Sequence, residues 1–269
     1  GSELQITPGG VLTFISEPDY ETKATYNATV TVVDTEDNSA TQDITVNVTN
    51  LNDNTPSINS SASFSAEENQ TAIGTVTATD ADGDAVTFTV SGSELTITSA
   101  GVLTFASAPD YETKSTYTAT VTASDGINST TQDITVNVTN VNDNSPSISS
   151  STFSADENQT AIGTVTAADA DGDTISFGIS GSDITIDSSS GVIAFRSAPN
   201  YESINSYSVI VSASDGTNTS TQEITVNIND INDAVSNKNL ELEARITTFI
   251  SQGVFNDVLK RLKGLPSIN

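Results

Sequence analysis

Short stretches dense in Asp and Asn recur along the chain, and their side chains are the ones best suited to chemistry. Residues 140–144 read Asn-Val-Asn-Asp-Asn, residues 50–54 read Asn-Leu-Asn-Asp-Asn, and residues 230–234 carry the altered version Asp-Ile-Asn-Asp-Ala. Their oxygen atoms are the hard ligands that Ca²⁺ prefers, and this ion takes about six to eight of them. No single stretch supplies that many, and no EF-hand loop is present. A calcium site would have to gather groups from several parts of the chain.

Residues 140–144 lie between two modules that could supply the missing ligands. The preceding module offers three carboxylates, the stretch itself offers side chains and the carbonyls of Val141 and Asn144, and the following module offers three more carboxylates. The side chains concerned are those of Glu68, Asp110, Glu112, Asn142, Asp143, Asp169, Asp171 and Asp215. So many carboxylates would repel one another without ions. We therefore expect ions to stiffen the array and modules to swing independently in their absence. The alternative is that these acids are ordinary turn residues.

Composition narrows the functions that this chain could have. Its 8 basic and 35 acidic residues give a net charge of −27, which disfavours nucleic acid as a partner and favours multivalent cations or a solubilising surface. The absence of Cys and His excludes disulfides, thiol chemistry and His-based triads. Asp110 and Glu112 could suit glycoside hydrolysis, but no aromatic substrate platform is implied, so we expect no catalytic residue. No apolar run is long enough to span a membrane.

The chain repeats itself about every 90 residues, which is the signature of a tandem array. Phe14, Phe105 and Phe195 occupy equivalent positions in the three copies. Two copies are complete, at residues 54–143 and 144–233, whereas residues 1–53 match only the C-terminal half of a copy. Half of a sandwich cannot bury its own apolar face. We expect a neighbouring segment to complete residues 1–53, or the chain to have been cut there.

The strands of each copy are short, rich in Thr and Val, and alternate in polarity. Tyr117, Ala119, Val121 and Ala123 share one face, and the intervening polar side chains share the other. About seven such strands in roughly 90–100 residues predict an antiparallel Greek-key sandwich. The fold class is therefore all-β, with tandem seven-stranded Greek-key sandwiches of the immunoglobulin-like type.

Residues 234–269 follow a different pattern, with apolar residues at helical spacing. They predict a short C-terminal helical tail that carries an excess of basic residues. This tail could pack on the last repeat, or it could contact another chain or an acidic surface. Residues 265–269 resemble residues 55–59, so the tail could also lead into another repeat.

Five separated motifs resemble the calcium motifs of cadherin repeats, and they occur in cadherin order. They are Glu68-Asn69, Asp110-Tyr111-Glu112, residues 140–144, Asp169-Ala170-Asp171 and Ala213-Ser214-Asp215. The resemblance covers residues 1 to about 234. It implies seven-stranded Greek-key sandwiches in an extracellular or cell-surface protein, with several calcium ions at each junction between repeats.

The resemblance also implies roles for individual residues. The upstream ions at residues 140–144 would use Glu68, Asp110, Glu112 and Asp143. The downstream ion would use Asn142, the carbonyl of Asn144, Asp169, Asp171 and Asp215. Asn140 and Asn50 stand where the family has Asp, which should weaken the middle ion. The first junction would use Asp19, Glu21, Asn52, Asp53, Asn54, Asp80, Asp82 and Asp125. The last would use Glu157, Glu202, Asp230 and Asp233, with partial occupancy because Asn200 replaces an Asp.

We interpret the chain as a calcium-rigidified extracellular array, a spacer or adhesive segment of a cell-surface adhesin whose sequence style resembles bacterial surface adhesins. Its partners would be further repeats of a longer parent or other copies of the chain, and a cell-surface protein or glycan. An alternative is an extracellular filament subunit in which strands of a neighbouring chain complete residues 1–53. A third interpretation is a passive spacer whose acids only keep it soluble.

Overall fold

The computed structural model describes residues 3–232, and every regular element within them is a β-strand. The chain divides into two compact units, Gly1–Val141 and Asn142–Asn269, so the division falls inside residues 140–144. The predicted helical tail lies outside the described residues. Among the residues that are described, no helix is long and apolar enough to cross a membrane.

The first unit opens with two antiparallel hairpins. Strands β1 (Leu4–Ile6) and β2 (Leu12–Phe14) form the shorter one, and β3 (Thr25–Val33) and β4 (Ser39–Asn47) form the longer one. The Phe14 ring packs edge-on against Tyr26 with a centroid distance of 5.0 Å, which ties the two hairpins together. These hairpins are the part that the sequence identified as the C-terminal half of a repeat.

A complete sandwich follows in the same unit. Its strands are β5 (Ser57–Ile58), β6 (Ser63–Glu67), β7 (Ala72–Thr75), β8 (Ala78–Thr79), β9 (Thr87–Val90), β10 (Leu95–Ile97), β11 (Val102–Phe105), β12 (Thr116–Ser124) and β13 (Ser129–Thr139). One sheet has the order β6-β13-β12-β9, the other has the order β10-β11-β7, and β5 pairs with β8. Only β6 and β13 run parallel. The seven expected strands become nine because the first two are each broken into two segments.

The second unit repeats this plan. Its strands are β14 (Ser147–Ile148), β15 (Thr152–Asp156), β16 (Ala161–Thr164), β17 (Ala167–Ala168), β18 (Ser176–Ile179), β19 (Ile184–Ile186), β20 (Val192–Phe195), β21 (Ser206–Ser214) and β22 (Thr219–Asn229). The sheet orders are β15-β22-β21-β18 and β16-β20-β19, with β14 paired to β17. Thus β1–β4, β5–β13 and β14–β22 fall within the three predicted ranges of repeats, whose boundaries stay a prediction.

The cores form from the faces that the alternation predicted. In β12, Val121 and Ala123 are fully buried, and Tyr117 and Ala119 pack against the same cluster while partly buried. Phe105 meets Tyr117 at a centroid distance of 5.0 Å, which reproduces the ring contact of the first hairpins. The predicted all-β sandwich fold is confirmed.

The first hairpins expose positions that are core positions in the complete sandwich. Leu12 is 37% exposed although its counterpart Leu103 is fully buried, and Val32 is 65% exposed although its counterpart Ala123 is fully buried. Side chains of the same alternating pattern therefore pack inside the sandwich of residues 54–143, whereas in residues 1–53 they contact solvent.

Two glycines are required where adjacent chain segments of a sandwich approach closely. Gly101 has φ +86°, and a Cβ there would lie 2.2 Å from the carbonyl oxygen of Val76. Gly191 in the second unit has φ +70°, and its Cβ would lie 2.4 Å from the carbonyl oxygen of Val165. Gly10 holds the equivalent place in the first hairpins with φ +83°, but a Cβ there would meet nothing within 4 Å.

We therefore expect Gly101→Ala to destabilise the first unit far more than Gly10→Ala. Gly10→Ala adds only the left-handed backbone penalty of about 1–2 kcal/mol, whereas Gly101→Ala adds about 1–3 kcal/mol more from overpacking against backbone. Denaturant unfolding in chelator measures both changes. Equal losses for the two variants would contradict this account of the close approach at Val76.

Candidate metal centre

Three carboxylates converge at the first linker, and all three are residues that the sequence singled out. Glu21, Asp53 and Asp82 each bring one oxygen within 4.8 Å of the others. Glu21 comes from the turn between β2 and β3, Asp53 from the linker, and Asp82 from the turn after β8. The cluster thus joins the hairpins, the linker and the sandwich of the first unit.

Hydrogen bonds fasten the linker to the Asp82 turn. Asp82 Oδ2 accepts bonds from the backbone N–H groups of Asp53 (3.1 Å) and Asn54 (2.8 Å), and Asp82 Oδ1 accepts one from Asn54 Nδ2 (2.9 Å). Asn50 Nδ2 donates to the main-chain oxygen of Asp82 at 2.8 Å. A carboxylate at position 50 could not donate this bond. The Asn that departs from the cadherin pattern therefore has a structural use that the sequence did not reveal.

The charges of this cluster oppose one another. Partial desolvation raises the pKa of Glu21 above its usual value, and the nearby Asp19 and Asp82 carboxylates raise it further. Desolvation would also raise the pKa of Asp82, but hydrogen bonds from the Asn54 side chain and from the Asn54 and Asp53 N–H groups outweigh it and lower that pKa. Two carboxylates thus compete for one proton, and a divalent cation would neutralise both.

Two further candidate ligands are Asp80 in the turn after β8 and Asp125 in the turn after β12. Asp80 Oδ1 accepts the N–H of Asp82 (3.0 Å), and Asp125 Oδ1 accepts the N–H groups of Ile127 (2.7 Å) and Asn128 (2.6 Å). The other oxygen of each carboxylate, Oδ2, is buried and has no hydrogen-bond partner. Burying a charged oxygen without a partner is costly. These residues therefore fit a bound cation.

Asp19 and Asp110 stabilise turns and lie outside the described carboxylate clusters. Asp19 Oδ1 accepts the N–H groups of Glu21 and Thr22, and Asp19 Oδ2 accepts the Thr22 hydroxyl at 2.8 Å. The Thr22 hydroxyl and N–H lower the pKa of Asp19. Asp110 bonds to the N–H and hydroxyl of Thr113 in the same way. Both acids therefore stabilise their own turns, and their assignment as calcium ligands stays a prediction.

Among residues 3–232, two glutamates are buried, which is unusual for this residue type. Glu68 is 3% exposed, and its two oxygens accept the N–H groups of Tyr111 and Val141, each at 2.7 Å. Glu157 is 1% exposed and bonds at 2.9 Å to the N–H groups of Tyr201 and Ile231. Each glutamate joins its own Pro-Asp/Asn-Tyr-Glu loop to the stretch that leaves the sandwich. Glu112, the other acid of that loop in the first unit, is exposed.

The second unit carries its own copy of the linker contacts. Asp171 Oδ2 accepts the N–H groups of Asp143 (3.1 Å) and Asn144 (2.9 Å), and Asp171 Oδ1 accepts Asn144 Nδ2 (3.0 Å). The Oδ2 atoms of Asp169 and Asp215 are buried without a hydrogen-bond partner, as at Asp80 and Asp125. The candidate cation ligands therefore recur at equivalent positions in both units.

The end of the second unit keeps a smaller group of acids. Glu157, Glu202 and Asp230 bring oxygens within 4.8 Å of one another. Asn200, which replaces the expected Asp, accepts the N–H of Ser203 at 3.0 Å and so preserves the turn without the charge. Asp233 lies outside the described residues.

Sequence reasoning missed several residues at these sites. Asp84 and Asp173 join clusters with the preceding two acids of their turns. Asn128 and Asn218 contact the linkers through their side-chain amides. The available signal was the Asp-Gly-x-Asn pattern, which recurs at residues 125–128 and 215–218.

Comparison with known proteins identifies the repeats. Residues 151–229 match the family model of the cadherin domain. The chain carries cadherin-like repeats. A solved structure of mouse cadherin-23 EC22-24 superposes with a TM-score of 0.68 and 22% identity, covering 86% of this chain and 83% of that one. A protocadherin gammaB7 EC3-6 cis-dimer structure gives a TM-score of 0.69 and 24% identity, covering 86% of this chain and 63% of that one. At these identities the superpositions show the fold.

Curated relatives with cadherin-like repeats are far longer than this chain. Protocadherin Fat 1 of Homo sapiens is 33% identical over 142 residues, which cover 46% of this chain and 3% of that protein. The wing polarity protein stan of Drosophila melanogaster is 32% identical over 264 residues, covering 84% of this chain and 7% of that protein. The chain thus spans less than a tenth of either relative. The predicted tandem repeats and their extracellular or cell-surface location are confirmed.

Replacing Glu68 should destabilise the first unit even without calcium. Glu68→Ala removes the charged acceptor of the Tyr111 and Val141 N–H groups, and hydrogen bonds to a charged group contribute about 1.5–3 kcal/mol each. Glu67→Ala, which alters the exposed neighbour, should change stability by no more than about 0.5 kcal/mol. Denaturant unfolding in chelator measures both. A small loss for Glu68→Ala would mean that these hydrogen bonds do not hold the loop and the linker.

The raised pKa of Glu21 gives a pH dependence of defined sign. The folded state holds this proton more tightly than the unfolded chain, so the Glu21 contribution to stability improves as the pH falls through the raised pKa. Asp82→Asn removes one repelling charge and should move the Glu21 pKa back toward 4.5. Carbon-13 NMR titration of the Glu21 carboxyl in chelator measures the shift, with Asp34, whose pKa is lowered by Asn38 within its own turn, as the internal reference. An unchanged Glu21 pKa in the Asp82→Asn variant would contradict the proximity of the two carboxylates.

Proposed function

We propose that the chain is a calcium-binding segment of an extracellular adhesion protein and that calcium stiffens its linkers. The observation that carries this proposal is the pair of buried, unpartnered oxygens on Asp80 and Asp125, which recurs on Asp169 and Asp215. A turn residue that merely solubilised the surface would turn its carboxylate to water. Four equivalent oxygens withdrawn from both water and protein donors favour a cation as their missing partner.

Two sets of ligands are available in the first unit. Glu21, Asp53 and Asp82 form the more exposed set. Asp80 and Asp125 form the second, where the side-chain oxygen of Asn52 and the main-chain oxygen of Asn54 would join them. Bound Ca²⁺ would supply the positive charge that these oxygens lack. Mixed carboxylate, amide and carbonyl oxygens suit the flexible coordination of Ca²⁺ better than the strict octahedron of Mg²⁺.

Stiffening follows from where the ligands are attached. In the first unit they belong to the turn after β2, to the linker, and to the turns after β8 and β12. A cation held by all of these segments restrains their relative motion, whereas without it their carboxylates repel. In this proposal the array is a spacer or an adhesive segment with no catalytic role. The adhesin character, the bacterial style of the sequence, and a cell-surface protein or glycan partner stay predictions.

A filament subunit is a second candidate, favoured by one observation. The exposed side chains of Leu12 and Val32 occupy positions that complete sandwiches bury, so strands from another segment would gain apolar contacts there. Those strands could come from a second copy of the chain. Measuring the molecular size of the chain in solution over a range of concentrations tests this candidate. Concentration-dependent polymers would support it, and a monomer at all concentrations would contradict it.

Thermal unfolding in calcium, in chelator and in magnesium tests the calcium proposal. With a Kd on the order of 10⁻⁴–10⁻³ M, calcium at tenfold excess over Kd should stabilise the chain by about 1.4 kcal/mol, and at hundredfold excess by about 2.7 kcal/mol. Magnesium at matched ionic strength should give a much smaller shift.

Variants separate ion ligands from general surface charge in the same measurement. Asp125→Asn should reduce the calcium-dependent shift, because it neutralises one of the unpartnered carboxylates. Asp133→Asn removes an equal charge from the exposed face of β13, where Asp133 accepts a bond from Thr120, and should leave the shift unchanged. Equal stability in calcium and chelator would leave the passive spacer as the better interpretation.

A further inference from the structure

We propose that Asn128 and Asn218 are positioning residues that fasten each linker in its ligand-ready form before any ion arrives. In the first unit, Asn128 Nδ2 donates to the side-chain oxygen of Asn52 at 2.9 Å and to the main-chain oxygen of Asn54 at 3.0 Å. We call these two bonds the linker clasp. Both acceptors are among the oxygens to which the calcium proposal assigns the second ligand set.

The second unit contains the same clasp, built from residues about 90 positions later. Asn218 Nδ2 donates to Asn142 Oδ1 at 2.9 Å and to the main-chain oxygen of Asn144 at 3.2 Å. Asn142 and Asn144 are the counterparts of Asn52 and Asn54. Because both bonds recur in separate units, we infer that the contact is a regular structural feature of the repeat.

Hydrogen bonds hold the backbone of Asn128 in place. Its side-chain amide therefore points toward the linker in a fixed direction. Asp125 Oδ1 accepts the N–H of Asn128 at 2.6 Å, and the Ser124 hydroxyl donates to the Asn128 carbonyl at 3.0 Å. Asp215 Oδ1 and the Ser214 hydroxyl hold Asn218 in the same way, at 2.6 and 2.9 Å. The turn after the penultimate strand of the sandwich therefore presents a donor directly to the linker.

The chemistry of the clasp suits an amide at this position. Both acceptors are carbonyl-type oxygens, and the Asn amide offers two N–H donors to them without placing a positive charge next to the proposed cation. Each such oxygen has two lone pairs, so it can accept from the clasp and still face a cation. The clasp and the ion are therefore compatible, and ordering the linker in advance removes part of the entropic cost of binding.

The first hairpins provide an internal comparison. Asn38 holds the equivalent place in the turn between β3 and β4, but its Nδ2 donates to Asp34 Oδ2 at 2.9 Å, within its own turn. Asn38→Ala removes the same side chain from an equivalent turn that bonds only within itself through this amide, so it is a matched control.

Amide hydrogen exchange in chelator tests the clasp without reference to calcium. Asn128→Ala should speed exchange at the Asp53 and Asn54 amides by about tenfold, which corresponds to the loss of one or two net hydrogen bonds. Asn218→Ala should do the same at Asp143 and Asn144. Core amides of β12 and β21 should keep their protection, and Asn38→Ala should leave both linkers unchanged. Asn128→Asp, which keeps the volume but removes the donors, should reproduce the effect of Asn128→Ala.

Calcium titration of the same variants tests the consequence for the ion, and this part rests on the proposed function. Asn128→Ala and Asn218→Ala should each weaken binding about three- to tenfold, and Asn38→Ala should not. Unchanged linker exchange in Asn128→Ala and Asn128→Asp overturns the clasp, whatever calcium does. If the unaltered chain binds no calcium, the proposed function fails, while faster linker exchange in the variants still supports the clasp. Calcium binding that is unchanged in the variants overturns the role of the clasp in affinity.

Discussion

Repulsion between carboxylates that the fold forces together is the constraint on which the linker region depends. Glu21 and Asp82 approach closely enough to move their pKa values apart. In addition, Asp80 and Asp125 each bury an oxygen without a donor. No described Lys or Arg forms an ion pair with any of these acids. The sandwich thus stores an electrostatic cost at its end, and only a positive charge brought from outside relieves it.

The sandwiches can bear that cost because their own stability comes from elsewhere. Val121, Val136 and their counterparts Val211 and Val226 are fully buried on the two long strands of each complete repeat. The aromatic pair Phe105–Tyr117 closes the same core from the neighbouring sheet. These apolar contacts do not involve a cation. Loss of a bound cation should therefore affect the linkers before it affects the cores. Local openings of this kind are expected where buried apolar contacts are few.

The sequence predicted the fold well because its two main signals are periodic. Alternation along 116–124 assigns each side chain to a face, and the period of about 90 residues counts the repeats. It could not predict the split of the first two strands, nor the Cβ clash at Gly101, because both depend on how close two backbones come. At the site, acidic residues stand out by type. Asn50 and Asn128 did not stand out, because the hydrogen bond that a side-chain amide makes depends on which acceptor the fold places opposite it.

The distribution of Asn and Asp in the linker follows from these opposing needs. A linker made only of Asp would supply charge to an ion but would have no side-chain donor to hold itself against the sandwich. Asn50 and Asn54 donate to Asp82, and Asn52 accepts from Asn128, so amides fix the shape while Asp53 keeps one charge. Replacing carboxylates by amides lowers the repulsion in the ion-free state, and it also lowers the attraction for the ion. In the proposed calcium-binding role, the linker would exchange affinity for order, which suits a segment exposed to abundant extracellular calcium better than one that must capture a scarce ion.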